Sequence, residues 1–489
     1  MASNYKSIAK ANALFGGVQF YIILIGIIRS KVVAVLLGAE GMGIMGLLNS
    51  TIDLVKGATN CGLQTSAVRD VSLAKSSNDH NQVSTIYSII SKLAWITGLV
   101  GAIVVFVFAK QLSLLTFSNG DYTWSFRLLS VVLLLSQLAV VNQVMLQGLR
   151  ELKKVAMNNV VGNTLGLIIT VPLYFLLRTN GIVPAIIVTY AISFFVSIYY
   201  LKKLRLHKAE MSIRESAILG RQMIVLGIML SVTGLMDVAQ TYIVKLFIAK
   251  VGSVADVGLY NAGFAIIVGY VGLVFSSIGT DYYPRLSSLS NDQKQYNDVI
   301  NDQLEIMLLV LLPLVCVFIV FSELAIRILY TEEFLDAKTM INIMAIGMIQ
   351  RAISWCPGFL YVAKGDSKLY LIIYIVTFVL STAMYLWFYK LWGLTGIGMA
   401  FFAMYFLGNF TTFWITNHFY QYKLRRQTFF IILVSFVASG VIWFCSLYGN
   451  AFSWIITSLV MLVTFYYSYK QLNSRLDLVS IIRNRIHKK

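Results

Sequence analysis

Charged side chains are scarce in this chain. Only 12% of its 489 residues are Asp, Glu, Lys or Arg, while 58% are hydrophobic. An ordinary soluble domain has roughly a quarter of its residues charged. A mean hydropathy of +0.77 over the whole length leaves no segment for a large water-soluble domain. The composition therefore excludes an ordinary soluble protein and indicates a membrane protein.

Cysteine and histidine are also rare, with four residues of each. The cysteines lie far apart, so neither a disulfide framework nor a CxxC metal site is expected. The sequence has no nucleotide-binding P-loop, no GxSxG serine motif and no HExxH zinc motif. We therefore expect no enzyme activity, no cofactor and no bound metal, and any transport must draw its energy from a source other than ATP.

Long apolar runs are what the sequence has in abundance. Runs of about 20 residues, each long enough to cross ~30 Å of hydrocarbon, recur from end to end. They lack the alternating pattern of barrel strands, so they are predicted to be helices. The expected fold is an all-α polytopic membrane protein with 14 transmembrane helices. The predicted spans are near 11–37, 42–62, 86–109, 126–147, 157–177, 182–201, 221–247, 258–280, 303–322, 339–363, 369–389, 395–416, 428–447 and 451–468.

The basic residues indicate the orientation of these spans. The net charge of +18 comes from 39 Lys and Arg against 21 Asp and Glu. Nucleic-acid binding is rejected because the basic residues form short clusters between apolar runs, as membrane topology requires. The N-terminal segment, the even-numbered loops and the tail carry 26 basic residues, and the other side carries ten. Both termini are therefore predicted to lie in the cytoplasm.

Three segments recur in the same order at an offset near 214 residues. The pairs are LGAEGMGIM at 37–45 with VGSVADVGLY at 251–260, RDVSLAKSSND at 69–79 with RLSSLSND at 285–292, and QGLRELKK at 147–154 with YVAKGDSK at 361–368. In the first pair, Gly38 and Gly43 align with Gly252 and Gly258. The repeat predicts two parallel six-helix halves with a substrate site between them near the membrane midplane.

The repeat also suggests domain boundaries. Residues 1–205 are predicted to form an N-terminal six-helix bundle, and residues 206–425 a C-terminal one. Residues 426–489 are predicted to form two additional helices and a basic cytoplasmic tail. A twelve-helix core is sufficient for a small-molecule transporter, so the two extra helices favour a cargo that carries a lipid.

Short motifs in both halves resemble those of a known family. The run RSKVVAVLLGAEGMG from Arg29 resembles the opening of bacterial polysaccharide exporters and O-antigen flippases. VGLYNAG from Val257 resembles the start of their second half, and YPRLSSLS from Tyr283 resembles the end of their eighth helix. The resemblance covers nearly the whole chain and points to the multidrug/oligosaccharidyl-lipid/polysaccharide (MOP) exporter superfamily. It implies a V-shaped pair of six-helix bundles around a central cavity, in the bacterial inner membrane.

The resemblance further implies a cargo and its partners. The expected activity is a flippase that moves a polyprenyl-pyrophosphate-linked oligosaccharide, such as an O-antigen repeat unit, to the outer leaflet by alternating access. The expected partners are the lipid-linked glycan, membrane lipids, and the polysaccharide polymerase and glycosyltransferases of the same pathway, with the protein itself a monomer. The energy would come from a coupling ion (H⁺ or Na⁺), the membrane potential, or removal of the glycan on the far side.

Two other functions stay open on the residues alone. An ion-coupled multidrug or other small-molecule exporter of the same superfamily would need an acidic, aromatic cavity for cationic cargo. A membrane glycosyltransferase or polymerase would need a large extramembrane loop with catalytic carboxylates. The largest acidic loop, at 322–338, is too short for that. The flippase is the leading interpretation.

Polar residues within the spans are the candidate site residues, since a charge in hydrocarbon costs about 2.5 to 3.5 kcal/mol on insertion scales. The second predicted helix carries a stripe at spacings of 4, 3, 4 and 4, which places its members on one face. The stripe is Asn49, Asp53, Lys56, Asn60 and Gln64. It either lines a wet cavity or contains an Asp53–Lys56 pair that holds helices together.

Cationic residues are predicted to bind the pyrophosphate. The planar fork of Arg29 can donate two parallel hydrogen bonds to it, with Gln19 on the same face. Arg29 lies near a span end, so it could instead extend to the outer headgroups. Lys56 occupies a place comparable to cationic residues that line the cavity in the resembled flippases. Arg351, beside Gln350, is a further candidate, or it hydrogen-bonds a broken helix.

The seventh and fifth predicted helices supply the remaining candidates. Asp237, Thr241 and Lys245 follow one another at four-residue steps on one helix face. Asp237 and Thr241 could bind the coupling ion, or Asp237 could pair with Lys245 or Arg29, and Lys245 joins the predicted pyrophosphate-binding cations. Asn159 and Asn163 on the fifth helix either contact sugar hydroxyls or mark close helix packing.

Overall fold

The computed structural model describes residues 2–60, 62–77, 79–289, 292–448 and 450–476. Within these residues the chain is almost entirely helical, and no strand occurs. This is the expected outcome for long apolar runs, because an α-helix satisfies every backbone hydrogen bond within one segment. The basic tail predicted after residue 476 lies outside the described residues.

Contacts between Cα atoms divide the chain into two compact units. The first comprises Met1–Gly258 with Leu329–Thr331, and the second comprises Leu259–Ile328 with Glu332–Lys489. These boundaries follow packing, whereas the boundaries predicted at 205 and 425 follow sequence self-similarity. The division into repeated halves therefore stays a prediction.

The first unit is built around a long N-terminal helix that packs against two later helices. Its helices are α1 (Ala2–Thr59), α2 (Leu63–Ser76), α3 (His80–Val107), α4 (Ala109–Phe117), α5 (Thr123–Gly148), α6 (Leu152–Leu177), α7 (Ile182–Lys202), α8 (Ile213–Leu219), α9 (Arg221–Val251) and the start of α10 (Val254–Phe264). Helix α1 packs against α6 and α9, and α5 packs against α3 and α7.

The second unit continues from α10 through a π-helical turn at Ala265–Val271. Its further helices are α11 (Leu273–Ser288), α12 (Gln293–Val320), α13 (Ser322–Leu329), α14 (Lys338–Ala363), α15 (Ser367–Tyr420), α16 (Arg426–Ser446) and α17 (Ala451–Leu476), with a 3₁₀ turn at Glu332–Ala337. Helix α14 packs against α15, and α12 packs against α14, α16 and α17.

Eleven segments of the described chain are long and apolar enough to cross a bilayer. Three of them are 43, 51 and 54 residues long, and each contains an interruption. The pairs of segment and interruption are Gly17–Thr59 with Gly38, Leu152–Lys202 with Arg178–Gly181, and Ser367–Tyr420 with Trp392 and Gly393. About 20 residues are enough for one crossing, so each of the three can cross twice. The count of 14 spans stays a prediction, because length and composition do not place a bilayer.

The interruption in α1 has a clear backbone cause. Gly38 adopts φ 67° and ψ −169° between two helical stretches. A side chain is strained at such a positive φ, whereas glycine adopts it readily. Gly38 therefore separates the part of the helix that carries Arg29 from the part that carries Asp53 and Lys56.

Candidate functional site

The first unit contains 12 of the 13 predicted site residues, and only Arg351 lies in the second. They lie on helices that adjoin one another, since α1 packs against α6 and α9, and α2 packs against α9. Helix α1 carries Gln19, Arg29, Asn49, Asp53 and Lys56. Asn60 follows α1, Gln64 lies on α2, Asn159 and Asn163 lie on α6, and Asp237, Thr241 and Lys245 lie on α9.

Arg29 is half-buried where α1 passes α6. A Cβ atom added to Gly166 would lie 2.9 Å from Arg29 Nη2, so the guanidinium occupies space that a larger residue would fill. The buried Tyr174, about two turns after Gly166 on α6, also interacts electrostatically with Arg29. The absence of a side chain at Gly166 thus permits the close approach of this cation to α6.

The guanidinium of Arg29 has unused hydrogen-bonding capacity. Its Nε and Nη2 atoms are buried and, within the described chain, have no hydrogen-bond partner. No carboxylate of the described residues lies within 4.0 Å to form an ion pair with it. A buried charge without a partner is unfavourable by several kcal/mol. These donors are therefore suited to an acceptor from outside the chain, and phosphate oxygens match their geometry.

A second charged group forms around Asp53. Its exposed carboxylate interacts electrostatically with Lys56 on the same helix and with Lys245 of α9. The ammonium group of Lys56 lies 5.6 Å from the ring centroid of Tyr190 on α7. Neither lysine comes within 4.0 Å of the Asp53 carboxylate among the described ion pairs. The group is thus an open arrangement of two cations about one carboxylate.

Asp237 and Thr241 remain on one face of α9. The Thr241 hydroxyl donates to the Asp237 carbonyl oxygen at 3.0 Å, so its proton is used within the helix while its lone pairs stay available. The Asp237 side chain is exposed. With Arg29, Lys56 and Lys245 set against Asp53 and Asp237, the charged candidates of this unit have a net charge of +1. The role of Asp237 in ion coupling stays a prediction.

The uncharged polar candidates differ in whether their polar atoms are already hydrogen-bonded within the protein. Asn60 Oδ1 is buried with no hydrogen-bond partner in the described chain. Asn163 instead donates to the Asn159 carbonyl oxygen at 2.8 Å, within its own helix. One residue further, Thr164 bonds Tyr21 of α1 at 2.7 Å. Asn49 is half-buried, and Gln19 and Gln64 are exposed.

Arg351 lies among aromatic rings in the second unit. Its Cζ atom is 4.8 Å from the ring centroid of Phe275 and 5.9 Å from that of Tyr405. The neighbouring Gln350 accepts a hydrogen bond from Asn409 at 2.7 Å. The aromatic faces partly compensate the charge through cation–π attraction. Participation of Arg351 in the same site as Arg29 stays a prediction.

Sequence reasoning did not identify Tyr174 and Tyr190 as neighbours of the candidate cations. Both contacts join residues more than 130 positions apart. The chain contains 27 tyrosines, and nothing in the local pattern distinguishes these two. Their positions follow only from the packing of α6 against α1 and of α7 against α6.

Known proteins provide independent comparisons. A family model described as polysaccharide biosynthesis protein matches residues 32–339. A Shigella flexneri protein assigned provisionally as an O-antigen transporter is 21% identical over 373 residues, which cover 74% of this chain and 87% of that protein.

Solved structures match the fold over most of the chain. The inward closed conformation of the lipid II flippase MurJ superposes with a TM-score of 0.70 at 16% identity, covering 96% of this chain and all of the other. An inward-facing multidrug resistance MATE family transporter of the MOP superfamily gives 0.67 at 13% identity, covering 82% of this chain and 94% of that one. At these identities the matches establish the fold alone.

Proposed function

Because this chain belongs to the polysaccharide biosynthesis protein family, we propose that it is a flippase for a polyprenyl-pyrophosphate-linked oligosaccharide. The cargo moves from the cytoplasmic to the outer leaflet by alternating access. The observation that carries this proposal is the half-buried side chain of Arg29, whose buried Nε and Nη2 atoms have no hydrogen-bond partner in the described chain.

The chemistry of the pyrophosphate fits this group. Its oxygens accept charge-assisted hydrogen bonds, which are about twice as strong as those between neutral groups. Lys56 and Lys245 add positive charge on the same unit. Asn60 offers a sugar hydroxyl its buried amide oxygen, which has no hydrogen-bond partner in the described chain. The polyprenyl tail remains in the hydrocarbon, so that only the polar part of the cargo requires an aqueous path.

The charge balance favours this cargo over a cationic drug. An organic cation would need an excess of carboxylates, whereas three cations and two carboxylates are found among the candidates of the first unit. The names of the similar proteins point the same way, since one is assigned to O-antigen transport and another is a lipid II flippase. Neither name describes an enzyme.

The remaining features of the proposal follow from the sequence. The excess of basic residues on one side of the spans supports cytoplasmic termini, and the resemblance to bacterial polysaccharide exporters supports a location in the bacterial inner membrane. No ATP-binding motif is present, so we assign the driving force to H⁺ or Na⁺, with Asp237 and Thr241 as the candidate ion site. The protein acts as a monomer beside the polymerase and glycosyltransferases that make and use its cargo.

Replacement of Arg29 tests the proposal. In a strain that depends on this protein for its surface glycan, Arg29→Ala is expected to lower glycan export by roughly 10- to 100-fold, the loss of a hydrogen bond worth ~1.5 to 3 kcal/mol. Arg29→Lys keeps the charge without the fork and should retain part of the activity. Lys56→Ala should also impair export.

Arg178→Ala is the matched control, because Arg178 is exposed and its guanidinium donates to the Leu36 carbonyl oxygen at 3.2 Å, away from the candidate site. It should export glycan at the wild-type level. Membrane abundance is measured for every variant by immunoblot. Wild-type export by an abundant Arg29→Ala protein would overturn the assignment of the pyrophosphate to Arg29.

A further inference from the structure

A cleft lies between α3, α5 and α7, at the ends that the charge distribution assigns to the cytoplasm. It consists of two adjoining cavities of about 250 and 300 Å³. Ser91, Trp95 and Lys208 line both cavities, Lys202 lines the first, and Lys92 lines the second. We call it the lysine cleft, and it plays no part in the candidate cargo site.

The chain segment between α7 and α8 forms one wall of this cleft. The Ala209 carbonyl oxygen accepts a hydrogen bond from Ser88 Oγ of α3 at 2.8 Å, and the Ala209 amide donates to the Ser84 carbonyl oxygen at 3.4 Å. The same segment places Lys208 Nζ 4.8 Å from the ring centroid of Tyr87. Lys208 is therefore held against α3.

The cleft concentrates positive charge. Loss of hydration and the nearby charge of Lys92 both lower the pKa of Lys208. Glu210 lines the second cavity, and Glu215 on α8 interacts electrostatically with Lys92. Within the described chain, neither glutamate forms an ion pair within 4.0 Å of these lysines. Three lysines against two glutamates leave the cleft net positive, with its charges unpaired.

An unpartnered polar atom lies between the two cavities. Ser91 is only 5% exposed, and its Oγ has no hydrogen-bond partner in the part of the chain that is described. A helical serine can bond the carbonyl oxygen four residues earlier in its own helix. Here the hydroxyl is left free to donate to a bound acceptor.

The apolar side of the cleft continues along α3. Trp95 is 52% exposed, and it is followed at four- and three-residue steps by exposed Leu99, Ile103 and Phe106 on the same helix face. Leu138, Phe194 and Ile198 contribute further apolar lining. Tryptophan is favoured at the level of lipid headgroups. A headgroup in the cleft would thus have an apolar path for its acyl chain along α3.

We propose that the lysine cleft binds an anionic phospholipid of the cytoplasmic leaflet, with its phosphate at Lys92, Lys208 and Ser91. The assignment to the cytoplasmic leaflet rests on the membrane orientation given with the proposed function. The binding of the lipid does not depend on that orientation. A phospholipid is favoured over a soluble phosphate because the exposed face of α3 extends from the cationic end into the predicted span.

Binding of tail-labelled phosphatidylglycerol to the purified full-length protein in detergent tests the proposal, with tail-labelled phosphatidylcholine as the zwitterionic comparison. Lys92→Ala/Lys208→Ala should weaken phosphatidylglycerol binding by roughly 30-fold, at ~1 kcal/mol per lysine. Its binding of phosphatidylcholine should not change. Lys92→Arg/Lys208→Arg should restore the preference and so exclude a folding defect.

Lys153→Ala/Lys368→Ala is the matched control, since both lysines are exposed and lie in predicted cytoplasmic segments outside the cleft. It should bind phosphatidylglycerol within twofold of wild type. The Arg29→Ala protein should bind phosphatidylglycerol as wild type does. A failure of the cleft proposal can therefore be distinguished from a failure of the flippase proposal. An equal loss in the control, or no loss in the cleft variant, would overturn the proposal. The proposal would also be overturned if inorganic phosphate alone displaced the bound phosphatidylglycerol. It would be overturned as well if undecaprenyl phosphate displaced the labelled lipid better than unlabelled phosphatidylglycerol does.

Discussion

Gly43 of α1 and Gly258 of α10 lie directly against each other in the first unit. A Cβ atom on Gly258 would lie 1.9 Å from the Ala39 carbonyl oxygen and 3.1 Å from the Gly43 amide nitrogen. A Cβ atom on Gly43 would lie 1.8 Å from the Val254 carbonyl oxygen. The two glycines align in the internal repeat, and each contacts the residue four positions before the other. Segments that the predicted sequence repeat aligns therefore meet without room for a side chain.

Alanine at either glycine should force the two helices apart. We expect Gly43→Ala and Gly258→Ala each to lower the free energy of unfolding by about 1 to 3 kcal/mol, the usual cost of overpacking. In a flippase, this contact lies on the predicted outer side, so glycan export should fall as well. Thermal unfolding in detergent measures the first effect, and surface glycan the second.

Gly162→Ala and Gly234→Ala are suitable controls for these substitutions. A Cβ atom on Gly162 or Gly234 would meet nothing within 4 Å. Both variants should be as stable as wild type or slightly more so, since alanine favours the helix. If Gly43→Ala and Gly258→Ala melted at the same temperature as these controls, the close approach of α1 and α10 at the two glycines would be contradicted.

The interaction of Asp53 with Lys245 can be measured by a double-mutant cycle. Asp53→Asn should destabilise the protein because it leaves Lys56 and Lys245 without their shared carboxylate. Lys245→Met in the same chain should recover part of the loss, with a coupling free energy of about 0.5 to 3 kcal/mol. Lys250→Met serves as the exposed control on α9. Strictly additive effects of Asp53→Asn and Lys245→Met on unfolding would show that the two groups do not interact.

Within the second unit, a buried ion pair joins α17, the last described helix, to α12. Glu305 of α12 is 2% exposed and accepts hydrogen bonds from Arg475 Nη2 at 2.7 Å, Arg475 Nε at 3.0 Å and Thr428 Oγ1 at 2.6 Å. Glu305→Ala should cost about 3 to 5 kcal/mol, because it leaves the Arg475 charge unpaired. Chemical or thermal unfolding in detergent measures this cost.

Asp302→Ala provides the comparison, three residues earlier in α12. Asp302 pairs with Arg425 at 2.6 Å, but its side chain is 56% exposed. Exposed pairs contribute about 0 to 1 kcal/mol, so this variant should unfold almost as wild type does. A similar loss in both variants would mean that the burial of Glu305 has no energetic consequence.

The predicted orientation can be tested by labelling single cysteines in a cysteine-free background. His207 and Asn119 are exposed and lie in segments assigned to opposite sides of the membrane. With a membrane-impermeant maleimide and intact cells, Asn119→Cys should react at once, whereas His207→Cys should react only after permeabilisation. Both should react equally in detergent. The reverse pattern in cells would invert the topology and move the lysine cleft to the outer leaflet.

Much of the fold was predictable from local sequence. Apolar runs of about 20 residues can exist in lipid only as helices or barrels. Their lack of barrel-type alternation predicted the all-helical class, which is confirmed for the described residues. The motifs near Arg29, Val257 and Tyr283 predicted membership of the exporter superfamily. The family model over residues 32–339 confirms the polysaccharide biosynthesis protein family, and the flippase and transporter structures confirm the fold.

The site was predictable only in part. Helical spacing placed Asp53 and Lys56 on one face of α1, because periodicity is a property of consecutive residues. It could not reveal that Arg29 has no carboxylate partner within the described chain, nor which residues border it. The roles of the site residues stay predictions until the variants are measured.

The sequence by itself therefore determined that this chain is a helical membrane protein whose motifs resemble those of polysaccharide exporters, and which residues carry charge within its predicted spans. Only the tertiary structure decided that Arg29 lies against Gly166, that Asp53 interacts with Lys245, and that Gly43 meets Gly258. The physical reason is distance along the chain. Hydropathy and helical periodicity act over a few turns, whereas these three contacts join residues more than 130 positions apart, and only the packing of whole helices brings them together.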